Sequence, residues 1–155
     1  VLTRDKFAGK IAVDVHGKPS IVYNLKEFDL NHLQKGMIEA TRLHLTAGAE
    51  EVYFPHNSMR TFLKEQGIKQ LDNFGREMNS WGWRPNQYML FTAHKMGTCR
   101  MGADDKKHPL KPNGELREVK NLYVADASVF PSASGANPML TIMGIAHHIA
   151  KELVG

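Results

Sequence analysis

The densest concentration of reactive side chains in this sequence is the segment His94-Lys95-Met96-Gly97-Thr98-Cys99-Arg100-Met101-Gly102. It brings an imidazole, a thiol, thioethers and glycines into one short stretch. A phosphate-cradling glycine loop requires Lys-Ser/Thr after its second glycine, and Ala103-Asp104 stand there instead. A zinc site needs further soft ligands at short spacing, yet Cys99 is the single cysteine, so no Cys-x-x-Cys exists. His147 and His148 are sequence neighbours in a predicted helix. Their side chains therefore diverge by about 100° and do not easily share a metal. Cys99 as a nucleophile would need an activating partner, and none is identifiable, so a buried structural thiol is the simpler reading. His94 fits general base chemistry, because an unperturbed imidazole titrates near neutrality. It ends an extended stretch and enters a glycine turn, a setting from which side chains often reach clefts. The competing reading is an ordinary, partly buried histidine. A second polar candidate is Asn137, although helix capping alone would explain an Asn placed before Pro138.

The elements that must position these residues follow from local patterns. Lys10 to Val15 alternates apolar and polar residues, His16-Gly17-Lys18-Pro19 forms a turn, and Ser20 to Asn24 is extended, which predicts a β-hairpin. With Asp29 as N-cap, Leu33, Met37, Ala40, Leu43 and Ala47 recur at helical spacing from Leu30 to about Thr46, and Gly48 ends that helix. Glu51 to Phe54 is predicted as a short strand broken by Pro55-His56-Asn57. Helical stretches are predicted over Ser58 to Gln66 and over Ile68 to about Ser80, with a loop from Trp81 to Asn86. Leu90 to Ala93 is extended and leads into His94. Ala103 to Lys120 is a polar surface excursion. Asn121 to Ala125 is predicted as an apolar strand ended by Asp126-Ala127-Ser128, and Asn137-Pro138 opens a helix running to Leu153. Core packing is the simpler role for Trp81, Trp83 and Tyr88, with a place in a pocket wall as the alternative.

Bulk properties narrow the classes. The 155 residues, 42% hydrophobic and 23% charged, suffice for an ordinary domain with a core. No apolar run is long enough to cross a bilayer, and no hydrophobic stretch of a signal peptide occurs between Val1 and Lys10. Val1 reads as a point inside a longer protein. The net charge of +4 is spread among interleaved acids, as at Lys26-Glu27 and Lys151-Glu152. The basic cluster Lys106-Lys107-His108 with Lys111 reads as a solvated loop rather than a phosphate-binding arm, so nucleic acid is not an expected partner.

Three segments occur in fixed order: His94 to Gly102, the strand-turn Asn121-Leu122-Tyr123-Val124-Ala125-Asp126-Ala127-Ser128-Val129-Phe130-Pro131, and the helix start Gly135-Ala136-Asn137-Pro138-Met139-Leu140-Thr141-Ile142. Together they resemble the C-terminal signature of the glucose-methanol-choline (GMC) oxidoreductases. The hairpin, the first helix and Ala47-Gly48-Ala49 are similar to that family's substrate domain. The resemblance implies an α+β fold. Residues 1–120 would form a portion of the substrate domain, a mainly antiparallel sheet with helices carrying the catalytic loop. Residues 121–155 would supply the C-terminal strand and helix of the FAD-binding domain. It implies FAD-dependent oxidation of an alcohol to a carbonyl, with His94 taking the hydroxyl proton and Asn137 fixing the alcohol oxygen. Asparagine is no base at neutral pH, so proton removal would fall to His94. By the same resemblance Asp126 and Ala127 lie along the FAD ribityl and pyrophosphate, and Asn137, Pro138 and Met139 meet the flavin ring. There the N-terminal amides of the helix would stabilise the negative charge of reduced flavin. No metal is implied. The family's Gly-x-Gly-x-x-Gly fingerprint is absent here. The chain is therefore expected to need a missing N-terminal FAD-binding half as partner and to be inactive alone. The alternative is a non-catalytic substrate-binding or interaction module on the same scaffold.

Overall fold

The computed structural model describes residues 1–84 and 86–155; Pro85, in the loop expected from Trp81 to Asn86, lies outside the described residues. The fold is α+β. Strands β1 (Lys10–Val13) and β2 (Pro19–Val22) form the expected hairpin. Its turn is organised by Asp14, whose Oδ1 accepts from the amides of His16 and Lys18, both at 2.8 Å, and by Gly17 at φ 77°. That φ is cheap only for glycine. The chain divides into two compact units, one formed mainly by Ile21–Phe91 and the other mainly by Thr92–Gly155.

In the first unit, helix α1 (Glu27–Thr46) begins earlier than expected. Lys26 is its N-cap, and Asp29 lies inside the first turn, where its buried carboxylate accepts from the amide of Phe7 at 3.4 Å. An acid in the first turn also suits the positive end of the helix. Strand β3 (Glu51–Tyr53) pairs antiparallel with β4 (Thr61–Leu63) in the register Glu51 with Leu63, Val52 with Phe62 and Tyr53 with Thr61. This corrects the helix expected over Ser58 to Gln66, of which only a 3₁₀ turn at Lys64–Gln66 remains. Pairing puts the Phe62 side chain into the core, an interaction that helical spacing could not reveal. After a second 3₁₀ turn at Ile68–Gln70, helix α2 (Leu71–Trp81) presents Leu71, Phe74, Met78 and Trp81 to the core. Phe74 is the hub, with ring centroids 4.9 Å from Phe62, 5.1 Å from Phe54 and 5.2 Å from Trp81. Helices α1 and α2 approach closely at Gly75, where a Cβ would come within 2.6 Å of Ile38 Cδ1. The side-chain amide of the buried Gln34 donates to the Gly75 carbonyl.

The second unit is largely irregular up to helix α3 (Met139–Val154). Leu90 to Ala93 joins no strand, and the strand expected over Asn121 to Ala125 reduces to a single bridge between Tyr123 and Glu115. Two backbone bonds flank that bridge, Leu116 N to Leu122 O at 2.8 Å and Val124 N to Gly114 O at 3.0 Å. The segment thus pairs with the end of the polar excursion rather than with a strand. Its core is Leu110, Val129 and Phe130, against which Met96, Cys99, Met101, Val124 and the α3 residues Ile142 and Ile145 pack. Gly114 makes room for α3: at φ 81°, a Cβ there would lie 2.5 Å from Ile149 Cδ1.

Candidate functional site

The three motif segments meet in the second unit. Amides of alternate residues in the His94 segment donate to successive carbonyls of the turn after Asp126. The bonds run from Gly97 to Ala127 at 3.2 Å, Cys99 to Ser128 at 2.9 Å and Met101 to Val129 at 2.9 Å. Gly97 adopts φ 77° and sits against the Phe130 carbonyl, 3.2 Å from where a Cβ would be. A side chain there would be strained and would crowd the joint. Met96, Cys99 and Met101 point into the core that Ile142 and Ile145 of α3 also cover. This is the structural reason for thioethers and a thiol beside the imidazole: they pack, and they anchor a loop that has little regular structure. Cys99 is half-buried, and burial, followed by the negative charge of Asp126, pushes its thiol up. A thiol so placed is a poor nucleophile.

Asp126 N-caps a 3₁₀ turn at Ala127–Val129. Its Oδ1 accepts from the Ser128 amide at 2.8 Å and from the Ser128 hydroxyl at 2.5 Å. These two bonds, the hydroxyl first, hold its carboxyl below the usual carboxylate range. Ser128 was not singled out from the sequence, although a Ser two residues after an Asp is a recognisable capping pair.

His94 is half-buried at the head of its segment, and Asn137 is exposed just before α3. Asn137 does not cap the helix. The N-cap is Pro138, whose carbonyl accepts the first intrahelical bond from Ile142 at 2.8 Å, and no side chain caps the helix. Capping therefore does not account for Asn137. Among the described residues no hydrogen bond links His94 with Asn137. Pro138 is buried, Met139 is exposed and Ala127 is half-buried.

Arg117 was not anticipated either, since nothing marks an arginine in a polar stretch. Its guanidinium donates to the carbonyls of Gly102 at 2.7 Å, Ala103 at 3.2 Å and His108 at 3.0 Å. It thereby ties the polar excursion to the end of the His94 segment. Two lysines of that excursion are paired locally, Lys107 with Asp104 at 3.0 Å and Lys111 with Glu115 at 2.6 Å. Among the described residues no group of three or more His, Cys, Asp or Glu side chains is placed to hold a metal. No helix there is long and apolar enough to cross a membrane.

In the first unit Trp81 and Tyr88 are buried in the core, as the packing role required. Trp83 stacks on Tyr88 with centroids 4.1 Å apart and planes 15° off parallel. Both Trp83 and Tyr88 also line a cleft of about 470 Å³.

Comparison with known proteins agrees with the motif reading. A family model described as GMC oxidoreductase matches residues 9–146. The chain is 36% identical over 154 residues to the long-chain-alcohol oxidase FAO4A of Arabidopsis thaliana, covering 99% of this chain and 21% of that protein. It is 34% identical over 158 residues to the long-chain-alcohol oxidase FAO3 of the same plant, covering 98% and 20%. Among solved structures, pyridoxine 4-oxidase from Mesorbium loti shares the fold with a TM-score of 0.50 at 18% identity, over 97% of this chain and 28% of that one. The chain thus spans about a fifth of the length of these curated relatives.

Proposed function

The chain belongs to the GMC oxidoreductase family, and from that premise we propose that it forms the C-terminal part of an FAD-dependent enzyme that oxidises an alcohol to a carbonyl. The observation that supports this reading is the hydrogen-bonded joint between the His94 segment and the turn at 127–129, with α3 packed on the same core. Segments far apart in sequence are thereby packed on one core, as a reaction shared between them requires.

The residues present fit a flavin. The start of α3 has no side-chain cap, so its first-turn N–H groups are unclaimed by any capping side chain and are suited to an anionic ring edge. Asp126 is held ionised through Oδ1, leaving its other oxygen to accept from sugar-type hydroxyls. An anion is a poor neighbour for bare phosphates, so contact with the pyrophosphate falls to the backbone around Ala127. Pro138 and Met139 would hold the ring at the helix start. FAD, when bound, supplies the hydride acceptor. His94 takes the hydroxyl proton at a ring nitrogen, and the Asn137 carboxamide bonds the alcohol oxygen and orients it. Residues 1–120 contribute to the substrate domain and 121–155 complete the flavin domain. The adenosine and pyrophosphate cradle comes from the greater length of the protein that lies outside this chain. Both plant relatives are named long-chain-alcohol oxidases, and we take a long-chain alcohol as the substrate here.

His94→Ala in the full-length enzyme tests this. Loss of a general base is expected to slow flavin reduction by alcohol roughly 10²–10⁴-fold, with FAD still bound by its absorbance. Reduction at the unaltered rate would overturn the assignment. A panel of n-alkanols of rising length, followed by stopped-flow bleaching of the flavin, checks the substrate class.

A further inference from the structure

Asn137 is exposed, does not cap α3 and follows the stretch Pro131-Ser132-Ala133-Ser134-Gly135-Ala136. Small side chains give this stretch little packing of its own. Among the described residues no backbone–backbone hydrogen bond joins residues 131–137 to another part of the chain. Inside the stretch the Ser134 hydroxyl donates to the Ala136 carbonyl at 2.5 Å, and its oxygen accepts from the Ala136 amide at 3.4 Å. Those bonds shape the turn and tie it to nothing else. Yet the role proposed for Asn137 demands a fixed carboxamide, since a misplacement of about 1 Å can cost roughly a hundredfold in rate.

The tie comes from 129 residues away. Arg4 precedes the hairpin and belongs to the same compact unit as the loop. Its Nε donates to the Ala133 carbonyl at 3.0 Å. Its stem lies on the backbone of Gly135, where a Cβ would come within 2.9 Å of Arg4 Cβ, 3.3 Å of Cγ and 3.4 Å of Cδ. Gly135 sits at φ 70°, a conformation that glycine adopts without steric cost. The glycine thus serves both the turn and the close approach of the arginine. Arg4 meets the loop at two points shortly before Asn137. Among the described residues its hydrogen bond is the one that fastens the loop to a distant segment.

We infer that Arg4 is a positioning residue for the reaction: it holds the loop 132–136 so that Asn137 keeps its carboxamide where the alcohol oxygen must be bonded. The inference rests on the role of Asn137 proposed above. Arg4 acts through the loop backbone, and the part it plays is that of the Nε donor and the stem rather than of the charge.

The test is single-turnover reduction of the flavin by a long-chain alcohol in the full-length protein. Arg4→Met keeps a stem of the same length and removes the donor. Arg4→Gln removes the charge but carries an amide nitrogen on Cδ, the place of Nε in arginine. Arg4→Met is expected to slow reduction about fivefold, the ordinary worth of one hydrogen bond. FAD content and unfolding temperature should stay close to the parent's, because Arg4 is exposed. Arg4→Gln should recover most of the lost rate. In an Asn137→Ala background Arg4→Met should have no further effect, since no carboxamide remains to be placed. A merely structural contribution would appear as the same factor in both backgrounds. Arg4→Met at the parental rate, Arg4→Gln no faster than Arg4→Met, or equal factors in the two backgrounds would each overturn the inference. Asn137→Ala alone separates the two ideas. Slowed reduction upholds the role of Asn137 whatever the Arg4 variants do, and a parental rate removes that role and the inference with it.

Discussion

Asp126 shows how a single residue is prepared by its neighbour. Two bonds from Ser128 stabilise the ionised carboxyl, so its pKa in the folded chain lies below that in the unfolded chain. A depressed carboxyl contributes stability that is fully present above the ordinary value of about 3.9 and is lost as pH falls through the lower folded value. Removing the hydroxyl donor in Ser128→Ala should move the Asp126 pKa up toward the ordinary carboxylate value. A carboxyl titration followed by NMR checks this, and an unmoved midpoint would show that Ser128 does not set it. The sequence made His94 and Asn137 stand out by residue type and motif, but Ser128 and Arg117 act through bonds to partners that only folding brings near.

At the level of elements, helices and the first hairpin were legible because their signals are local. Apolar spacing, Gly48 and the turn around Gly17 lie within the stretches they govern. Strand β4 was not legible. Its three residues are defined by pairing with β3 across an intervening loop, and a short apolar stretch reads equally well as part of a helix. Phe62→Ala is expected to destabilise the protein by about 3–5 kcal/mol, since the ring is wholly buried against Phe74. The urea midpoint of the full-length protein measures it. The seating of α3 depends in the same way on Gly114. In Gly114→Ala the new methyl would meet Ile149 from a left-handed backbone position, and a loss of roughly 1–3 kcal/mol is expected by the same measurement. A variant as stable as the parent would mean that α3 is not seated there.

At the scale of the molecule, much apolar surface lies uncovered. Met139, Leu140 and Met143 are 65%, 75% and 61% exposed on α3, and the hairpin displays Ile11, Val13, Ile21 and Val22. Exposed apolar side chains in this number suit an interface, and on the proposed reading the part of the protein outside this chain covers them. Leu140→Lys should leave the fold of this chain intact, because the side chain already faces solvent here. In the full-length protein it should cost about 1.5–3 kcal/mol, the worth of a buried leucine, seen as a lower unfolding temperature and weaker FAD retention. Full retention of FAD with an unchanged unfolding temperature would mean that this face stays bare.

From the amino-acid sequence alone came the family likeness, the α+β character, the approximate positions of the three α-helices among the described residues, together with one helix over Ser58 to Gln66 that the structure replaces by strand β4, and the residues on which the chemistry would rest. These depend on side-chain type and on spacing within short windows, where periodicity and turn residues act directly. Only the tertiary structure decided that the His94 segment is held by the carbonyls after Asp126, that Pro138 rather than Asn137 begins α3, and that the buried rings of Tyr88 and His56 pack edge-on. Each of those depends on groups distant in sequence meeting in space, and hydrogen bonding and burial are set by such meetings.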